Sequence, residues 1–542
     1  MSRWSPVVRR PSAAPAEAVG LRARSRSATG DCRQRTNRWR LKTSAALLIL
    51  LLVASPSRAA LSEATRLAAV YDAILDARFD QAESRLRQAC PPAPVEACAA
   101  LRAVSLWWQI LLDPENRQLD ERLNTLAAAA VAACDAWTKR EPQRAEAWFY
   151  LAGSFAPLVQ WRVLRGERLA AAREGNKIRE SLERALQLDP TLDDAHFGIG
   201  LYHYYADVAP AAARIVRWLL FLPGGDRVKG LQEMLQTRER GALLRGEADY
   251  QLHLIYLWYE RKPARAVELL EQLDGRYPFN PLFLQRVAEV EDEWLHDRPA
   301  SAAAWETLLE RAREGQVHNA SRAEITSRLG LAEQLDALYE TDRAIDQLTI
   351  VTDAKPSVAS RLVLERAYLR LGLAYDRIGQ RALAVKAYMA ALEQAPGRES
   401  PLRSRARDAL GQSPDAKLAQ AYRLSLEGWR AFERAEIDQA RSSMARAIDL
   451  NPADEVLRYR YARVLDARGD AAGARAHLET VIAARTTPAF VLAAAYADYA
   501  RLLERAGDRA RAIEAYRHAT QVVGGDRRAR DQARAALARL GG

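Results

Sequence analysis

The sequence has few of the residues that most often carry catalysis or bind metals. Its 542 residues include seven histidines and four cysteines, and no H-E-x-x-H or histidine-plus-carboxylate motif appears among them. His196 and His203 are seven residues apart and share one helix face, but two ligands alone make a poor metal site. We therefore predict packing or surface positions for the histidines, and no catalytic residue, metal or cofactor.

Strand-forming and phosphate-binding patterns are also scarce. Valine and isoleucine seldom alternate with polar residues, which argues against β-sheet and favours an all-α fold. Gly224 and Gly225 precede a predicted helix but lack the G-x-x-x-x-G-K-[ST] spacing, and no Ser or Thr follows Lys229, so we predict a plain turn. The acidic run 289–293, Glu-Val-Glu-Asp-Glu, is predicted to be a solvated helix face.

Net positive charge is nearly absent from the body of the chain. The whole sequence carries +11, but residues 1–59 hold 12 Lys or Arg and 2 Asp or Glu, which is +10 and leaves +1 for the other 483 residues. A nucleic-acid groove needs a basic stripe on the folded part of a protein. We therefore predict no nucleic-acid partner.

The basic N-terminal residues are followed by an apolar run that is too short to span a membrane. The run 45–54 has about ten residues, whereas a spanning helix needs roughly 20. Ser57 and Ala59 then supply the small residues that a signal peptidase reads. This layout predicts a disordered basic leader plus signal peptide over residues 1–59, with cleavage after Ala59. The protein would then be exported, to the periplasm of a bacterium, with no stable membrane span after cleavage.

Three alternatives stay open at this end of the chain. An uncleaved N-terminal segment would anchor the protein in the inner membrane, and a transit peptide would also account for the arginines. The first 40 residues are either an extended leader or the result of a start codon assigned too early. In the second case Leu41 would begin an ordinary signal peptide.

Three cysteines remain beyond the leader, and two of them are close in sequence. Cys90 and Cys98 flank Pro-Pro-Ala-Pro-Val-Glu-Ala, a proline-stiffened loop between two predicted helices. In an oxidising compartment we expect a Cys90–Cys98 disulfide across this turn, which would leave Cys134 without a partner. The alternative is that all three are buried thiols. No nearby histidine or second cysteine pair suggests zinc.

A 34-residue pattern recurs in the second half of the chain. In one copy, eight positions follow steps of 3, 1, 4, 9, 4, 3 and 5: Tyr368, Leu371, Gly372, Tyr375, Ala384, Tyr388, Ala391 and Pro396. Steps of three and four place each set on one helix face, and the step of nine crosses a turn into a second, antiparallel helix. Further copies, with some departures, contain Leu331, Gly428, Leu465 and Leu503.

This pattern resembles that of the tetratricopeptide repeat superfamily. Regular copies cover about residues 325–525, and degenerate copies extend toward residue 65. The resemblance implies a right-handed α-solenoid, a superhelix of helix hairpins, that binds proteins or peptides. Around residues 195–235, a glycine-rich helix, an apolar helix and Gly-Asp-Arg follow in an order that is similar to eukaryotic Iml2-like tetratricopeptide proteins. That local similarity implies a helical scaffold and no reaction.

Composition divides the chain into three predicted regions. Residues 1–59 are the leader and signal peptide, residues 60–310 an irregular, tryptophan-rich helical-repeat domain, and residues 311–542 a regular repeat array that ends in a capping helix. Nine of the ten tryptophans beyond residue 59 lie between Trp107 and Trp305. Because tryptophan needs a large apolar pocket, we expect a thicker core in the middle region than in the alanine-rich array.

The resemblance also implies a binding surface. In the superfamily, residues one step beyond the packing positions of each first helix line the inner face of the superhelix. The candidate partner-binding residues in this sequence are Tyr422, Trp429, Phe432, Tyr459, Arg463 and Arg501. Trp429, Phe432 and Tyr459 would form an aromatic patch, a composition typical of binding hot spots. The alternative is that these aromatic residues pack against neighbouring repeats.

These features together predict an exported, non-catalytic scaffold that holds a protein or peptide in its superhelical groove. One alternative is a ligand-binding protein or enzyme that uses an aromatic pocket near residues 202–218. A deep polar-lined cavity there would favour this alternative, and a filled core would remove it. The other alternative is a structural subunit of an envelope complex.

Overall fold

The chain is helical throughout the part that the structure describes. The computed structural model describes residues 61–208, 224–355, 358–394 and 399–541, so the predicted leader and signal peptide lie outside it. The described residues form 24 helices and no strand, which confirms the all-α prediction. The first twelve helices are α1 (Ala64–Leu75), α2 (Phe79–Ala89), α3 (Val95–Leu112), α4 (Asp120–Arg140), α5 (Ala145–Arg165), α6 (Arg168–Leu188), α7 (Ala195–Val208), α8 (Arg227–Arg240), α9 (Arg245–Trp258), α10 (Pro263–Arg276), α11 (Pro281–Glu293) and α12 (Arg298–Arg313). The other twelve are α13 (Ala320–Ala337), α14 (Thr341–Thr352), α15 (Arg361–Arg377), α16 (Arg381–Glu393), α17 (Pro401–Gly411), α18 (Ala416–Glu433), α19 (Ile437–Leu450), α20 (Glu455–Ala467), α21 (Ala471–Ala483), α22 (Ala489–Arg505), α23 (Arg509–Gln521) and α24 (Arg527–Leu540).

Each helix packs against its neighbours in the chain, which makes the fold a solenoid. Hairpins such as α15 with α16 and α18 with α19 are the units of the array. Helices two apart, such as α3 with α5 and α13 with α15, also contact each other and stack one hairpin on the next. The predicted α-solenoid of helix hairpins is therefore confirmed. The largest cluster of buried apolar residues runs from Leu61 to Ala387 and so continues across residue 310.

The two helices of a regular hairpin approach closely because one of them carries a small residue at the contact, as the spacing predicts. A Cβ atom added at Gly372 would overlap the ring of Tyr388 on the facing helix. Tyr388 is fully buried, and its hydroxyl donates to Asp376 Oδ2 at 2.8 Å. Gly428 makes the same room for Met444 between α18 and α19. Each glycine thus admits one large side chain from the partner helix.

One turn position of the hairpins recurs with a left-handed backbone. The angle φ is +64° at Tyr339, +75° at Gly379, +61° at Ala435, +92° at Gly469 and +82° at Gly507. Glycine adopts this conformation without strain, whereas tyrosine and alanine do so at a cost of about 1 kcal/mol or more. Contacts of the Tyr339 ring and carbonyl with later repeats offset this strain.

Backbone meets backbone where α7 packs on α8. A Cβ atom at Gly200 would lie 2.7 Å from the carbonyl oxygen of Gly230, and a Cβ atom at Gly230 would lie 2.6 Å from that of Gly200. Neither backbone can move aside without separating the two helices. The preceding helices α5 and α6 have 21 residues each, which is the lengthening that the late position of Pro190 predicts.

The turn between α2 and α3 carries the cysteine pair. Cys90 and Cys98 form a disulfide in the structure, and the free thiol of Cys134 is buried. Burial raises the pKa of Cys134 to about 12. Among the described helices, α3 is long and apolar enough to cross a membrane, but most of its residues are buried against other helices. Packing in the core therefore accounts for its composition.

The last helix returns to the middle of the chain. Arg527 of α24 pairs with Glu291, and Arg530 Nη2 donates to Asp297 Oδ2 at 3.0 Å, although the partners are more than 230 residues apart in sequence. Glu291 and Asp297 are each 1% exposed, and this burial raises the pKa of both carboxyl groups. We call this contact the C-terminal tie. It joins the end of the array to the turn between α11 and α12.

Candidate functional site

The inner faces of the hairpins surround a large cavity. It has a volume of about 2650 Å³ and is lined by residues from α3, α5, α6, α7, α9, α11, α13 and α15. The segments that precede and begin α17 and α22 also contribute to the lining. Pockets for small molecules usually measure about 300–1,000 Å³. The cavity therefore has room for an extended peptide or a protruding segment of another protein.

Charges of both signs face the cavity. Ten arginines and ten aspartates or glutamates are among the described residues that line it. The two signs of charge therefore balance over the lining as a whole. Fourteen aromatic residues also line the cavity: Tyr71, Trp107, Trp108, Phe149, Tyr150, Phe197, Tyr202, Tyr205, Tyr250, Trp258, Tyr259, Trp294, Tyr339 and Phe490.

One wall of the cavity is held by a buried polar cluster on α9. The hydroxyl of Tyr71 donates to Glu247 Oε2 at 3.1 Å, and Gln251 Nε2 donates to Glu247 Oε1 at 3.2 Å. Burial raises the pKa of Glu247. His253, two turns further along α9 and 1% exposed, has its pKa lowered to about 3 by burial and, to a smaller extent, by Arg286. The imidazole is therefore neutral near pH 7.

Another part of the wall is built from ion pairs between α13 and α15. Arg366 and Arg370 both bind the carboxylate of Glu333, with Arg370 Nε 2.9 Å from Oε1. Asp336, one turn after Glu333 on α13, lies 3.2 Å from Arg377 of α15. These pairs fix the inner helices relative to each other while their side chains still face the cavity.

The predicted aromatic pocket near residues 202–218 falls partly on this cavity. Tyr202 and Tyr205 line it, and residues 209–218 lie outside the described part of the chain. Within the described residues, no group of three or more His, Cys, Asp or Glu side chains is placed to hold a metal ion.

The inner face of the second half of the solenoid is covered by the chain itself. Tyr422 of α18, one of the predicted groove residues, is 8% exposed and hydrogen bonds to Thr341 Oγ1 at 2.7 Å. Arg430, also on α18, binds Asp342 through two hydrogen bonds of 2.7 Å. Arg460 of α20 donates to the carbonyl oxygen of Tyr339 at 2.9 Å. The turn between α13 and α14, residues 338–342, thus fills the groove that the spacing predicts at Tyr422.

Three of the predicted groove residues do come together. The rings of Trp429 and Phe432 stack with 5.1 Å between their centroids, and both are half-buried. The guanidinium of Arg463 lies 5.3 Å from the centroid of the Trp429 ring and 5.6 Å from that of Phe432. Arg460, which the sequence pattern does not single out, covers the Trp429 ring at 5.0 Å. The side chain of Arg463 is 41% exposed, so the patch is accessible from that side.

The other two predicted residues join the patch through one carboxylate. Tyr459 donates its hydroxyl to Asp498 Oδ2 at 3.1 Å, and Arg501 lies 2.7 Å from Asp498 Oδ1. Arg463 is 3.9 Å from the same carboxylate. Five of the six predicted residues are therefore contiguous, and Tyr422 is separated from partners by the turn 338–342. Whether the five bind a partner stays a prediction.

The acidic run 289–293 departs from its predicted solvated position. Glu291 is buried because it shares one face of α11 with Leu284, Val287 and Ala288. Its carboxylate is paired with Arg527. Glu293, by contrast, lines the cavity. The three- and four-residue spacing of the apolar residues was the signal in the sequence that places Glu291 inside.

Comparison with known proteins identifies the repeats. Two models of the tetratricopeptide repeat family match the chain, over residues 365–398 and 431–491. These segments fall on α15–α16 and on α19–α21. Both segments are therefore tetratricopeptide repeats, as the resemblance implied. Such repeats support, in general terms, a scaffold for protein interactions. No curated protein matches the chain.

Similar solved structures include several helical-repeat proteins. A tetratricopeptide repeat protein from Parabacteroides merdae is 16% identical, covers 53% of this chain and 98% of its own, and has a TM-score of 0.24. The TPR2AB domain of yeast Sti1, solved in a complex with pHSP90, is 18% identical, covers 48% and 96%, and has a TM-score of 0.20. Human IFIT1, a dimer with PPP-AAAA, is 14% identical, covers 72% and 81%, and has a TM-score of 0.25. At these scores the similarities carry no argument about ligands.

Proposed function

We propose that this protein is an exported, non-catalytic scaffold that holds a segment of a partner protein in its central cavity. The cavity volume of about 2650 Å³ is the observation that carries this proposal. It is larger than a small-molecule site needs and is lined by the inner helices of consecutive hairpins. A mixture of aromatic rings and both signs of charge suits a peptide, because a peptide presents apolar, polar and charged side chains in succession.

Site-specific photo-crosslinking in intact cells tests this proposal. Val163 and Leu362 line the cavity and are 53% and 39% exposed, so each can be replaced by p-benzoylphenylalanine without disturbing the core. Ile350 and Met389 are matched controls, since they are apolar, 43% and 53% exposed, and outside the cavity lining. We expect irradiation to join a partner protein to the first pair of positions and not to the second.

Mass spectrometry of the cross-linked species then identifies the partner and the segment held. Adducts that form equally well at Ile350 and Met389, or only there, would place the partner on the outer surface and overturn the proposal. Cross-links within the chain itself are recognised by their unchanged subunit composition and are set aside.

The proposal of export rests on the leader. N-terminal sequencing of the protein from the periplasmic fraction should give a chain that begins at Ala60, because the predicted cleavage follows Ala59. Abundant protein that begins at Met1 and stays with the membrane would show an uncleaved anchor instead.

A small-molecule site is the second candidate, because Tyr202 and Tyr205 line the same cavity as the buried pair of Glu247 and Tyr71. Native mass spectrometry of protein purified from its host distinguishes the two. A retained small molecule of constant mass would favour the second candidate, and a retained polypeptide or a bare chain with cavity cross-links would favour the first.

A further inference from the structure

One corner of the cavity combines aromatic rings with carboxylates. Trp258 ends α9 and Trp294 directly follows α11, and their rings meet edge to face with 4.8 Å between centroids. Both indoles are half-buried and line the cavity. Glu289 and Glu293 of α11 line it as well. We call these four residues the Trp–Glu corner.

The two carboxylates of the corner differ in their partners. Glu289 is satisfied, since Arg286 binds it and Gln285 Nε2 donates to it at 2.9 Å. Glu293 forms no ion pair or hydrogen bond with any described residue. Glu293 is exposed as a residue and lines the cavity. Partial desolvation of its carboxyl group, then the negative charges of Glu289 and Asp292, raises its pKa. The negative charges around Glu293 thus outweigh the effect of Arg366 and Arg286.

A second, independent feature at the same place is an unused hydrogen-bond acceptor. Gln334 lines the cavity, is 4% exposed, and donates through Nε2 to Asp292 Oδ2 at 2.9 Å. That bond fixes the orientation of the amide and leaves Gln334 Oε1 buried with no partner in the described residues. A buried acceptor without a donor is costly, and a ligand with N–H groups would satisfy it.

The ends of two helices add further negative charge to the corner. Helices α9 and α11 both end at the corner, at Trp258 and Glu293. The C-terminal end of a helix carries partial negative charge from its free carbonyl groups. Aromatic faces, a carboxylate, a free acceptor and two helix C-termini all favour a positively charged group.

We infer that the Trp–Glu corner is the subsite of the cavity that receives an arginine or lysine side chain from the bound segment of the partner. This inference rests on the proposed function, because it names the chemistry of the segment that the cavity holds. The ammonium or guanidinium group lies against the indole rings, its charge faces Glu293, and one of its N–H groups donates to Gln334 Oε1. An apolar or acidic side chain donates to neither Glu293 nor Gln334, and a neutral donor leaves the charge of Glu293 unbalanced.

Isothermal titration of the whole chain with two synthetic peptides tests the inference. One probe is an eight-residue glycine–alanine peptide with two arginines, and the other carries citrulline, the neutral isostere, in place of each arginine. We expect the arginine peptide to bind the wild-type protein about fivefold more tightly or better. Glu293→Gln removes the charge at nearly constant shape and should reduce this preference to about one.

Glu310→Gln is the matched control, because Glu310 is an exposed glutamate on neighbouring α12 and lies outside the cavity lining. It should keep the wild-type preference for arginine, and both variants should keep the circular dichroism spectrum and melting temperature of the wild type. Equal binding of the two peptides by the wild-type protein, or an unchanged preference in Glu293→Gln, would overturn the inference.

The two proposals fail in different ways. A partner captured from the cavity by cross-linking, together with no discrimination between arginine and citrulline, leaves the scaffold function in place and removes only the cationic subsite. Discrimination that Glu293→Gln abolishes supports the subsite whichever protein the cavity holds.

Discussion

The two halves of the solenoid use their inner faces in opposite ways. From α3 to α15 the inner helices stand apart around a cavity of about 2650 Å³. Along α18 and α20 the inner face instead packs on the turn 338–342, through Tyr422, Arg430 and Arg460. The aromatic residues are concentrated around the open half, whereas the covered half packs largely through alanine, leucine and valine.

This contrast shows what a repeat pattern specifies and what it leaves open. The pattern sets how one hairpin stacks on the next, because each repeat touches mainly its neighbours. The curvature that accumulates over several hairpins decides whether the inner face stays open. Tyr339 sits at the point where the two halves meet, with a strained backbone and a ring 5.7 Å from that of Tyr422. The comparison can be tested in four ways.

The largest effect is expected at the C-terminal tie, which joins the two halves. The double variant Arg527→Ala, Arg530→Ala leaves the buried carboxylates of Glu291 and Asp297 without their cations. Loss of one partner from a buried ion pair costs about 3 kcal/mol of unfolding free energy. Urea unfolding at pH 7, followed by circular dichroism, measures this change.

Arg534→Ala is the control for the tie. Arg534 lies on the same helix and pairs only with exposed Asp531, so its removal should change the unfolding free energy by less than about 1 kcal/mol. Equal effects of the double variant and this control would show that the halves are not coupled through α24.

A glycine from each half gives the next largest difference. Gly230→Ala puts a Cβ atom 2.6 Å from the backbone of α7 and should cost about 2 kcal/mol, since two backbones cannot both give way. Gly428→Ala meets the side chain of Met444 at 2.7 Å, which is flexible and can move. Its nearest backbone atom is the carbonyl oxygen of Ala440 at 3.1 Å, which has to shift by only a few tenths of an ångström. We expect a cost below about 1 kcal/mol there, measured as a shift of the thermal midpoint. Similar shifts of the thermal midpoint in the two variants would mean that helices approach equally closely in both halves.

The open half should also be the more sensitive to acid. His253 has a pKa of about 3 in the folded protein and about 6.5 when unfolded, so the unfolded chain binds an extra proton between these values. The contribution of the neutral His253 imidazole to the unfolding free energy is therefore fully present above pH 6.5 and is lost as the pH falls below that value. At pH 5 the loss is about 2 kcal/mol.

Unfolding free energies of the wild type and His253→Gln between pH 5 and pH 7 check this prediction. The variant should lose less stability over this interval, whatever its stability at pH 7. His518→Gln, at a histidine of the covered half whose side chain is 51% exposed, is the control for the substitution itself. Parallel curves for His253→Gln and the wild type would contradict the burial of a neutral imidazole.

The smallest effect is expected within the covered inner face. Tyr422→Phe removes the hydroxyl that binds Thr341, and a buried hydrogen bond of this kind contributes about 1 kcal/mol. Tyr496→Phe is the control, because the Tyr496 hydroxyl has no hydrogen-bond partner in the described residues and its removal should be nearly neutral. A neutral Tyr422→Phe would indicate that the turn 338–342 leaves the inner face in solution.

The hairpins were predictable because their signals are local. Gly372 and Tyr388 are 16 residues apart, and their spacing in the 34-residue pattern predicts the contact that the structure shows. Helix starts follow the same rule, as where Asp226 accepts a hydrogen bond from Lys229 N at the beginning of α8.

The inner surface was predictable only in part, because it depends on contacts between distant repeats. The stacking of Trp429 on Phe432 follows from positions three apart on one helix. The cover over Tyr422 comes from residues some 80 positions earlier, and the C-terminal tie spans more than 230. The angle between successive hairpins cannot be deduced from local residue spacing. The cavity and the position of Glu293 in it could therefore be found only from the structure.

The C-terminal tie changes how this array should come apart. A linear solenoid frays from its ends, since a terminal repeat has a neighbour on one side only. Here the final helix is secured to the middle of the molecule by Arg527 and Arg530. Amide protons of α22 to α24 should consequently exchange almost as slowly as those of the central hairpins, and the protein should open as a single cooperative unit in place of unravelling repeat by repeat.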